Sequence, residues 1–508
     1  MVSKVLSATP YGFYGQLIEV EGDMSQGLPS LQIVGMGNKA IEESRDRVRS
    51  AIKNSHLDFP KGKIVINLAP AELPKDGVQF DLPIALAILC LGKQLSQQDV
   101  GQALFAGELA LDGSLRPIKS AITLAEVAKS RGISTVYVPT ANAEQALLIA
   151  GVSVIPVPDL TRLFLHLKGE VLLPPATKSP TPSSRPLHTE TVTLDMIRGQ
   201  EQAKRAITVA VAGRHNILLS GPPGSGKTML AQAVNSLLPP LSDTEIIEVT
   251  KLHHLGNHLA EKDNIITQRP FRAPHHTASR TAIIGGGTKI QPGEVSLAHR
   301  GTLFLDELLE YPRATLEALR QPLEDHAITI SRAQGKYHYP ADFLLVATMN
   351  PCPCGYLGDP EKACRCTTSQ ILQYQKRLSG PLLDRIDLTI TVSRVPHDQL
   401  LAPTSSSKIR QKLAINTVVN ATNIQYTRYK RSDVYNGSLN SRDIDRYIPL
   451  ASEVKDFLTT AAKRLDLSAR SYFKTIKVAR TIADLDNSPT VEIAHIAESL
   501  QYRQLTSP

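Results

Sequence analysis

One run of eight residues has the composition and spacing of a phosphate-binding loop. Residues 221–228 read GPPGSGKT, between a short apolar strand predicted over Asn216–Ser220 and the helical run MLAQAVNSLL. Glycines let successive backbone N–H groups turn inward around a β-phosphate, and the start of the following helix adds its positive dipole end. Lys227 is expected at the β- and γ-phosphates and the Thr228 hydroxyl on Mg²⁺. The predicted ATP-binding residues are Gly221, Pro222, Pro223, Gly224, Ser225, Gly226, Lys227 and Thr228.

A second run, further along the chain, supplies acidic partners for this loop. Residues 301–307 read GTLFLDE, which predicts an apolar strand ending in two carboxylates. Sheets of α/β proteins bind ligands at the carboxyl ends of their strands. Asp306 is therefore predicted to hold Mg²⁺, and Glu307 to polarise the attacking water. The two runs together predict a Mg²⁺-dependent ATP hydrolase.

Four of the five cysteines lie within fifteen residues, as Cys352-x-Cys354 and Cys364-x-Cys366. In a reducing compartment such a cluster indicates metal binding before disulfides. The four thiols could form one tetrahedral structural Zn²⁺ site, although the CxC spacing is tighter than the usual CxxC. Four reduced thiols without a metal are the alternative. Neither interpretation is catalytic, because a closed Cys₄ site leaves no open coordination position.

Composition bounds the class of protein and points to a partner. The chain has 508 residues, of which 42% are hydrophobic and 20% charged, as in soluble proteins of several domains. The longest apolar stretch, Leu82–Leu91, is too short for a membrane helix, and no signal peptide is visible, so a cytoplasmic location is expected. Residues 1–173 carry 16 basic and 17 acidic side chains, whereas residues 174–508 carry 40 and 31. The basic excess makes nucleic acid a candidate partner.

A Pro- and Ser-rich segment divides the chain. Residues 174–190 are predicted to be a linker, since they begin PPATKSPTPSSRP and show no apolar periodicity. Residues 1–173 have a mixed α/β pattern, with helices predicted over 39–54 and 121–130 and a strand over Leu104–Ala110. In residues 191–395 helices alternate with strands, which indicates a parallel sheet with crossover helices. Helical periodicity dominates residues 396–508. The fold class predicted is α/β.

Further segments carry a resemblance to a known family. They are FRAPHHTASRTAIIGGG (271–287), GEVSLAHRGTLFLDEL (293–308), ATMNPCPCGYLGDPEKACRC (347–366) and RLSGPLLDRIDL (377–388). With these segments the whole chain resembles the YifB/ComM family of magnesium-chelatase-like AAA+ ATPases. The resemblance implies an AAA+ P-loop NTPase module at 191–395, with a helix-2 insert and a hairpin before sensor 1, and a helical lid at 396–508. It also implies a hexameric ring and ATP-driven helicase work on DNA, with branch migration of recombination intermediates in natural transformation.

The resemblance assigns three more catalytic residues. Asn350, after the apolar run FLLVATM, matches sensor 1, which bonds the attacking water or the γ-phosphate. Arg385 in LLDRID matches the arginine finger, for which a guanidinium supplies a permanent charge with a planar fork. A finger supplied by a neighbouring subunit means that the site exists only between subunits. Arg470, in LSARSYFKTIKVARTIADL, matches sensor 2 on the lid.

The N-terminal domain, residues 1–173, resembles the ribosomal-S5-domain-2-like fold shared with the Lon protease domain. Lys75-Asp76-Gly77 is similar to Lon's serine segment, but Gln79 stands where Lon has its nucleophilic Ser. Ile122 likewise occupies the position expected for the catalytic Lys. A Ser–Lys protease needs both groups. The domain is therefore predicted not to be a peptidase, and a scaffold or DNA-binding role is expected.

DNA is expected to contact basic side chains on loops around the pore of the ring. Arg332 and Lys336 lie on a hairpin predicted before the sensor-1 strand, and Arg280 and Lys289 lie in the insert around residues 285–287. Phosphate contacts need only long basic side chains on such loops. Alternatively, DNA is held by the N-terminal domain or by Lys474 and Lys477 of the lid. His275 and His276 are adjacent and point to different faces, which favours structural or inter-subunit roles over a metal.

Three functions remain open on sequence grounds. The first is a hexameric DNA motor, the second a chelatase-type ATPase that remodels a protein partner, and the third a DNA-binding ATPase that does not translocate. The basic excess of residues 174–508 favours the first and third. The N-terminal domain, which the resemblance does not place in simple chelatase ATPase subunits, also speaks against the second.

Overall fold

A computed structural model describes residues 2–35, 39–73, 75, 78–177, 192–256, 265–287, 290–332, 335–395, 407–431 and 433–503. The chain divides into two units. The first contains residues 1–185, 242–267 and 329–339, and the second contains residues 186–241, 268–328 and 340–508. Segments 242–267 and 329–339, which the sequence analysis placed within 191–395, thus group with the N-terminal residues. The boundaries at 173, 190 and 395 stay a prediction.

A mixed seven-stranded sheet organises the first unit. Helix Asp81–Leu91 is buried along its whole length, since it is apolar apart from Asp81, whose carboxylate pairs with Arg47 Nε at 2.9 Å. The other helices are Lys39–Asn54, Gln97–Val100, Ala121–Ser130, Ala143–Ala146 and Leu160–Leu167. The strands lie in the order Ser30–Val34, Lys63–Ala69, Tyr14–Ser25, Val2–Tyr11, Leu104–Phe105, Thr135–Pro139 and Ser153–Val157, and Glu108–Leu109 pairs separately with Leu115–Arg116.

One predicted strand of this unit is wrong. Leu104–Ala110 is not one strand, because the chain leaves the large sheet after Phe105, where Gly107 N donates to Gln79 O at 3.0 Å. Glu108–Leu109 then belongs to the separate two-stranded ladder. The helices predicted over 39–54 and 121–130 are confirmed.

Two segments from the second half of the chain also belong to the first unit. Helix Asp243–Leu255 begins with a capping box between Ser242 and Glu245, and the Lys251 ammonium contacts Glu126 and lies 4.3 Å from the centre of the Phe13 ring. Strands Ala327–Arg332 and Gly335–Pro340 form the predicted hairpin. Phe13 N donates to His338 O at 3.0 Å, and the Tyr11 and Tyr337 rings lie 4.8 Å apart. These contacts anchor both segments to the turn between the first two strands.

A five-stranded sheet organises the second unit, and every neighbouring pair in it is parallel. The predicted parallel sheet is thus confirmed. Its central strands are buried along their whole length and are apolar except for Ser220 and Thr348, as expected where helices cover both faces. The strands lie in the order Phe271–Arg272, Thr302–Leu305, Leu344–Met349, Ile217–Ser220 and Leu388–Thr391.

Helices surround this sheet and fill the C-terminal part of the unit. Beside the sheet they are Glu201–Gly213, Lys227–Asn235, Arg280–Ile284, Glu294–Leu297, Arg313–Ala318, Arg320–Asp325, Thr368–Gln375 and Gly380–Leu383, with a small ladder of Gly285–Gly286 and Gln291–Pro292. The C-terminal helices are Ser407–Tyr429, Ser441–Tyr447, Ser452–Arg464, Ala469–Leu485 and Ile493–Gln501. Across the described parts of the chain, no helix is long and apolar enough to cross a membrane.

Candidate nucleotide site and cysteine cluster

The parallel sheet brings distant segments to one edge. Strand Ile217–Ser220 lies beside Leu344–Met349, which also pairs with Thr302–Leu305. The loop 221–228 follows the first of these strands, Asn350 the second, and residues 306–307 the third. All of them therefore leave the sheet at its carboxyl edge, where α/β proteins bind ligands.

Lys227 lies at the centre of this edge. The helix after the loop begins at Lys227, directly after Gly226, whose φ of +87° is the left-handed conformation that favours glycine. Lys227 Nζ donates to Gly221 O at 2.7 Å and Pro222 O at 2.9 Å, and it lies 3.4 Å from Asn350 Oδ1. Burial lowers the pKa of the Lys227 ammonium, and the nearby carboxylates oppose that shift. An ammonium held only by neutral oxygens can exchange them for phosphate oxygens.

Oxygen atoms suited to Mg²⁺ converge beside Lys227. Thr228 Oγ1 lies 3.4 Å from Asp306 Oδ2, and Thr348 Oγ1 donates to Asp306 Oδ1. Mg²⁺ prefers a carboxylate or two together with water and phosphate oxygens, and Thr228 and Asp306 present such a set. Thr348 fixes the carboxylate through its other oxygen, which leaves Oδ2 directed toward Thr228.

Glu307 has a conformation unusual for a residue with a side chain. Its φ is +50°, in the left-handed region that non-glycine residues rarely adopt and that is often found at functional sites. Glu307 N donates to Thr348 Oγ1 at 3.0 Å, which holds the backbone in place. The side chain is 55% exposed, and Oε2 lies 3.9 Å from His276 Nδ1. A solvent-exposed carboxylate beside the oxygen atoms of Thr228 and Asp306 can orient a water molecule.

Arg385 lies at the opposite edge of the sheet. Asn216, which precedes strand Ile217–Ser220, donates from Nδ2 to Arg385 O at 2.9 Å and accepts from Leu388 N at 3.0 Å. Arg385 therefore lies at the amino edge, whereas the loop 221–228 lies at the carboxyl edge. A role for Arg385 at a phosphate thus fits a nucleotide bound by another subunit better than one bound by its own loop.

Arg470 approaches the same carboxylate as Arg385. Arg385 Nη2 contacts Glu324, and Arg470 Nη2 lies 3.9 Å from Glu324 Oε1. The hydrogen bond that Arg385 donates lowers the pKa of the Glu324 carboxyl, with the nearby Arg470 charge adding to the shift. The two predicted arginines, 85 residues apart in sequence, thus share one partner.

The four predicted zinc ligands come together. The sulfur atoms of Cys352, Cys354, Cys364 and Cys366 all lie within 4.8 Å of one another. Backbone hydrogen bonds lower the pKa of the Cys354 thiol to about 6, whereas burial raises the pKa of Cys352 to about 12. The cluster is compatible with a metal site.

The candidate DNA contacts fall into three groups. Arg332 and Lys336 are exposed on the hairpin of the first unit, and Arg280 is exposed in the second unit. Lys289 lies outside the described residues. Lys474 Nζ donates to Ile386 O at 2.9 Å, and Lys477 Nζ donates to Gly437 O at 3.1 Å. Burial lowers the pKa of both lysines, so their ammonium groups lie inside the second unit. This position does not favour the alternative in which Lys474 and Lys477 hold DNA.

Two residues of this arrangement, Thr348 and Glu324, are not predicted from the sequence. Thr348 holds both Asp306 and Glu307, and its position two residues before Asn350 on a strand was the signal available for it. Glu324 lies in the run QPLEDHA, in which nothing distinguishes it from other helical surface acids.

Three magnesium-chelatase family models match successive parts of the chain. The model for magnesium chelatase, subunit ChlI, matches residues 193–400. The model for subunit ChlI of Mg-chelatase matches residues 20–142, and the model for the ChlI C-terminal region matches residues 404–503.

Relatives match over nearly the full length. The chain is 41% identical over 506 residues to competence protein ComM of Haemophilus influenzae, covering 99% of this chain and 97% of the relative. It is 42% identical over 494 residues to protein YifB of Escherichia coli, covering 96% and 94%. A weaker match, 28% identical over 140 residues, is to Lon protease of Mycolicibacterium smegmatis and covers 26% of this chain and 17% of the relative. The chain therefore belongs to the YifB/ComM family of magnesium-chelatase-like AAA+ ATPases.

Proposed function

We propose that the chain is a cytoplasmic, hexameric, ATP-driven DNA motor that acts as a helicase and migrates branches in recombination intermediates. The observation that carries the proposal is the division of the nucleotide machinery between two edges of one sheet. Lys227, Thr228 and Asp306 lie at the carboxyl edge, and Arg385 is tied to Asn216 at the amino edge. In a ring, the amino edge of one subunit can complete the carboxyl edge of the next, so that hydrolysis depends on assembly.

Each residue has a proposed role in hydrolysis. Lys227 binds the β- and γ-phosphates, and Thr228 and Asp306 hold the Mg²⁺ that neutralises developing charge. Glu307 orients the attacking water, Asn350 bonds that water or the γ-phosphate, and a neighbouring subunit supplies Arg385. The loop Gly221–Gly226, with Pro222, Pro223, Gly224 and Ser225, contributes backbone N–H groups to the phosphates.

The finer architecture is part of the proposal. Residues 1–173 form an S5-like, Lon-like domain that is not a peptidase, which the burial of Gln79 and Ile122 supports. Residues 191–395 form the AAA+ core, and residues 396–508 its helical lid carrying Arg470. The four cysteines are proposed to bind Zn²⁺.

DNA is proposed as the substrate of the motor. The basic excess in residues 174–508 supports it, as does the similarity to a relative named a competence protein. Arg332 and Lys336 are exposed on their hairpin. The hairpin itself is held by the hydrogen bond from Phe13 N and by the contact between the Tyr11 and Tyr337 rings. Two long cations on an anchored hairpin can follow a phosphate backbone without reading its sequence.

The magnesium-chelatase family models favour a second candidate, an ATPase that remodels a protein partner. A third candidate binds DNA without translocating. The ATPase rate with and without single-stranded or forked DNA separates them. A motor is stimulated by DNA and separates strands, a remodelling ATPase is indifferent to DNA, and a static binder retains DNA without separating strands.

The hairpin is tested by the double variant Arg332→Ala/Lys336→Ala. Basal ATPase should be unchanged, whereas the slope of log K for DNA against log salt should fall by about 1.4 to 1.8 units. The matched control is Lys129→Ala/Arg131→Ala, which removes two exposed cations elsewhere in the first unit. An unchanged slope in the hairpin variant, or an equal fall in the control, contradicts the assignment.

A further inference from the structure

The four clustered sulfur atoms have the spacing of a tetrahedral zinc site. The Sγ–Sγ distance is 3.4 Å between Cys352 and Cys354, and 3.6 Å from each of these to Cys364. Four sulfurs bound to Zn²⁺ at about 2.3 Å in tetrahedral geometry lie about 3.8 Å from one another. All four are free thiols. The observed cluster therefore needs only small adjustments to receive one ion.

Backbone groups already surround the sulfurs as they would surround thiolates. Four thiolates on one Zn²⁺ carry two excess negative charges, which N–H donors partly offset. Such donors reach all four sulfurs: from Cys366 N to Cys364 at 3.5 Å, from Cys354 to Cys366, from Tyr356 and Arg365 to Cys354, and from Gly355 and Leu357 to Cys352.

The loop that carries the cysteines is also held at its middle. Arg394 pairs with Asp359 at 2.9 Å and Glu361 at 3.0 Å, just beyond strand Leu388–Thr391. Asp359 further accepts from Glu361 N at 2.8 Å and Lys362 N at 3.1 Å. These ion pairs hold the middle of the loop. The cysteine cluster then joins the start of the loop, which carries Cys352 and Cys354, to its end, which carries Cys364 and Cys366.

The same loop touches the phosphate-binding loop. A Cβ atom on Gly355 would lie 2.6 Å from Pro223 Cδ, so only glycine allows the backbone here to approach the Pro223 ring this closely. Asn350, two residues before Cys352, lies at the same edge and reaches Lys227. The position of Gly355 therefore limits where the loop 221–228 can lie.

We propose that Cys352, Cys354, Cys364 and Cys366 bind one structural Zn²⁺ and that the closed loop, through Gly355, holds the phosphate-binding loop in its nucleotide-binding position. The second part rests on the proposed role of residues 221–228. Metal loss then lowers nucleotide affinity although the cysteines are not among the residues proposed to bind the nucleotide.

The metal is tested by elemental analysis of protein purified without chelator. We expect about one zinc per chain, and less than about a fifth of that in Cys364→Ser/Cys366→Ser. The control Cys90→Ala removes the buried thiol of the first unit and should keep the zinc. Little zinc in the wild type, or iron in its place, would overturn the site.

The coupling is tested with two matched glycine variants and a fluorescent ATP analogue. Gly355→Ala should keep its zinc and lose affinity by roughly tenfold or more, because the new methyl group displaces Pro223. Gly358→Ala is the control, since Gly358 has a similar φ of +77° and a Cβ there would meet nothing within 4 Å. Equal affinities in the two variants would overturn the coupling.

A second measurement does not depend on how the variants fold. Zinc removal by a chelator should lower affinity for the analogue, and Zn²⁺ but not further Mg²⁺ should restore it. Unchanged affinity after complete zinc removal would overturn the coupling. Failure of the wild type to bind the analogue would instead refute the proposed ATP site, while the zinc analysis would still stand on its own.

Discussion

Replacing Arg385 with alanine should abolish hydrolysis without unfolding the protein or releasing nucleotide. Asn216 and Gly221 are separated by five peptide steps of an extended strand, about 17 Å. The reach of an arginine side chain is about 7 Å from its Cα. The Arg385 carbonyl accepts a hydrogen bond from the Asn216 side chain, at the start of this strand. The Arg385 guanidinium therefore cannot reach phosphates bound at the other end of the strand in the same chain.

The sizes of the two effects separate catalysis from stability. Arg385 donates to Pro381 O at 2.6 Å and pairs with Glu324, whose side chain is 56% exposed. An ion pair with an exposed partner contributes no more than about 1 kcal/mol to stability. Loss of an arginine finger lowers turnover by as much as roughly 10³-fold, equivalent to about 4 kcal/mol.

Mixing Arg385→Ala with Lys227→Ala protein gives the decisive assay. A site works if its own chain retains Lys227 and its neighbour retains Arg385. At equal amounts and random assembly, about a quarter of all sites meet both conditions, so ATPase should recover to about a quarter of the wild-type rate. If each chain supplied its own arginine, no mixed site would be intact.

The control for this assay is Arg464→Ala, which removes an exposed arginine at the end of helix Ser452–Arg464 and should leave turnover near that of the wild type. Absence of recovery at every mixing ratio, with assembly verified by sedimentation, would refute the inter-subunit assignment. A parallel loss of nucleotide affinity in Arg385→Ala alone would refute it equally.

Three further predictions concern Glu307, Arg470 and His326. Glu307→Gln should bind ATP with normal affinity and hydrolyse it very slowly, so normal turnover would show that another group orients the water. A mixture of Arg470→Ala and Lys227→Ala proteins should also recover ATPase activity, because Arg470 and Arg385 share Glu324. If the mixture with Arg385→Ala recovers activity and the mixture with Arg470→Ala does not, the two arginines have different roles. The hydrogen bond that His326 donates to the Asp342 carboxylate raises the pKa of His326, so the charged pair stabilises the fold at pH 6 and its contribution is lost as pH rises through that pKa. His326→Asn should therefore lower Tm more at pH 6 than at pH 8, and equal shifts would contradict this.

Contiguous motifs could be recognised in the sequence because the residues of each motif are neighbours along the chain. The loop 221–228 and the pair Asp306 and Glu307 each lie on one continuous segment, and the parallel sheet requires both segments to emerge at its carboxyl edge. Glu324 was not predictable, because its importance comes from Arg385 and Arg470, which only the tertiary fold brings to it.

Strand Val2–Tyr11 was missed for a different reason. A strand that lies on a core is recognised by alternating apolar residues, but the buried face here carries Ser3, Ser7 and Thr9 around Val5. Ser3 is accommodated because its hydroxyl donates to Ala87 O at 3.1 Å on helix Asp81–Leu91. A buried polar side chain that has a hydrogen-bond partner interrupts the alternating apolar pattern in the sequence, although the segment still forms a strand.

The contact of Glu324 with both arginines has a consequence for assembly. In the single chain the carboxylate orients the guanidinium of Arg385. If Arg385 acts on a neighbour's phosphate, as proposed, part of that interaction must be lost. The pair is worth about 0.2–1 kcal/mol with its exposed carboxylate, whereas a hydrogen bond between charged groups in a closed site is worth about 1.5–3 kcal/mol. The phosphate therefore wins the competition. In the proposed ring, Glu324 would direct the arginine before assembly and would be too weak to retain it afterwards, so that nucleotide at the neighbouring subunit would be the signal that commits Arg385 to catalysis.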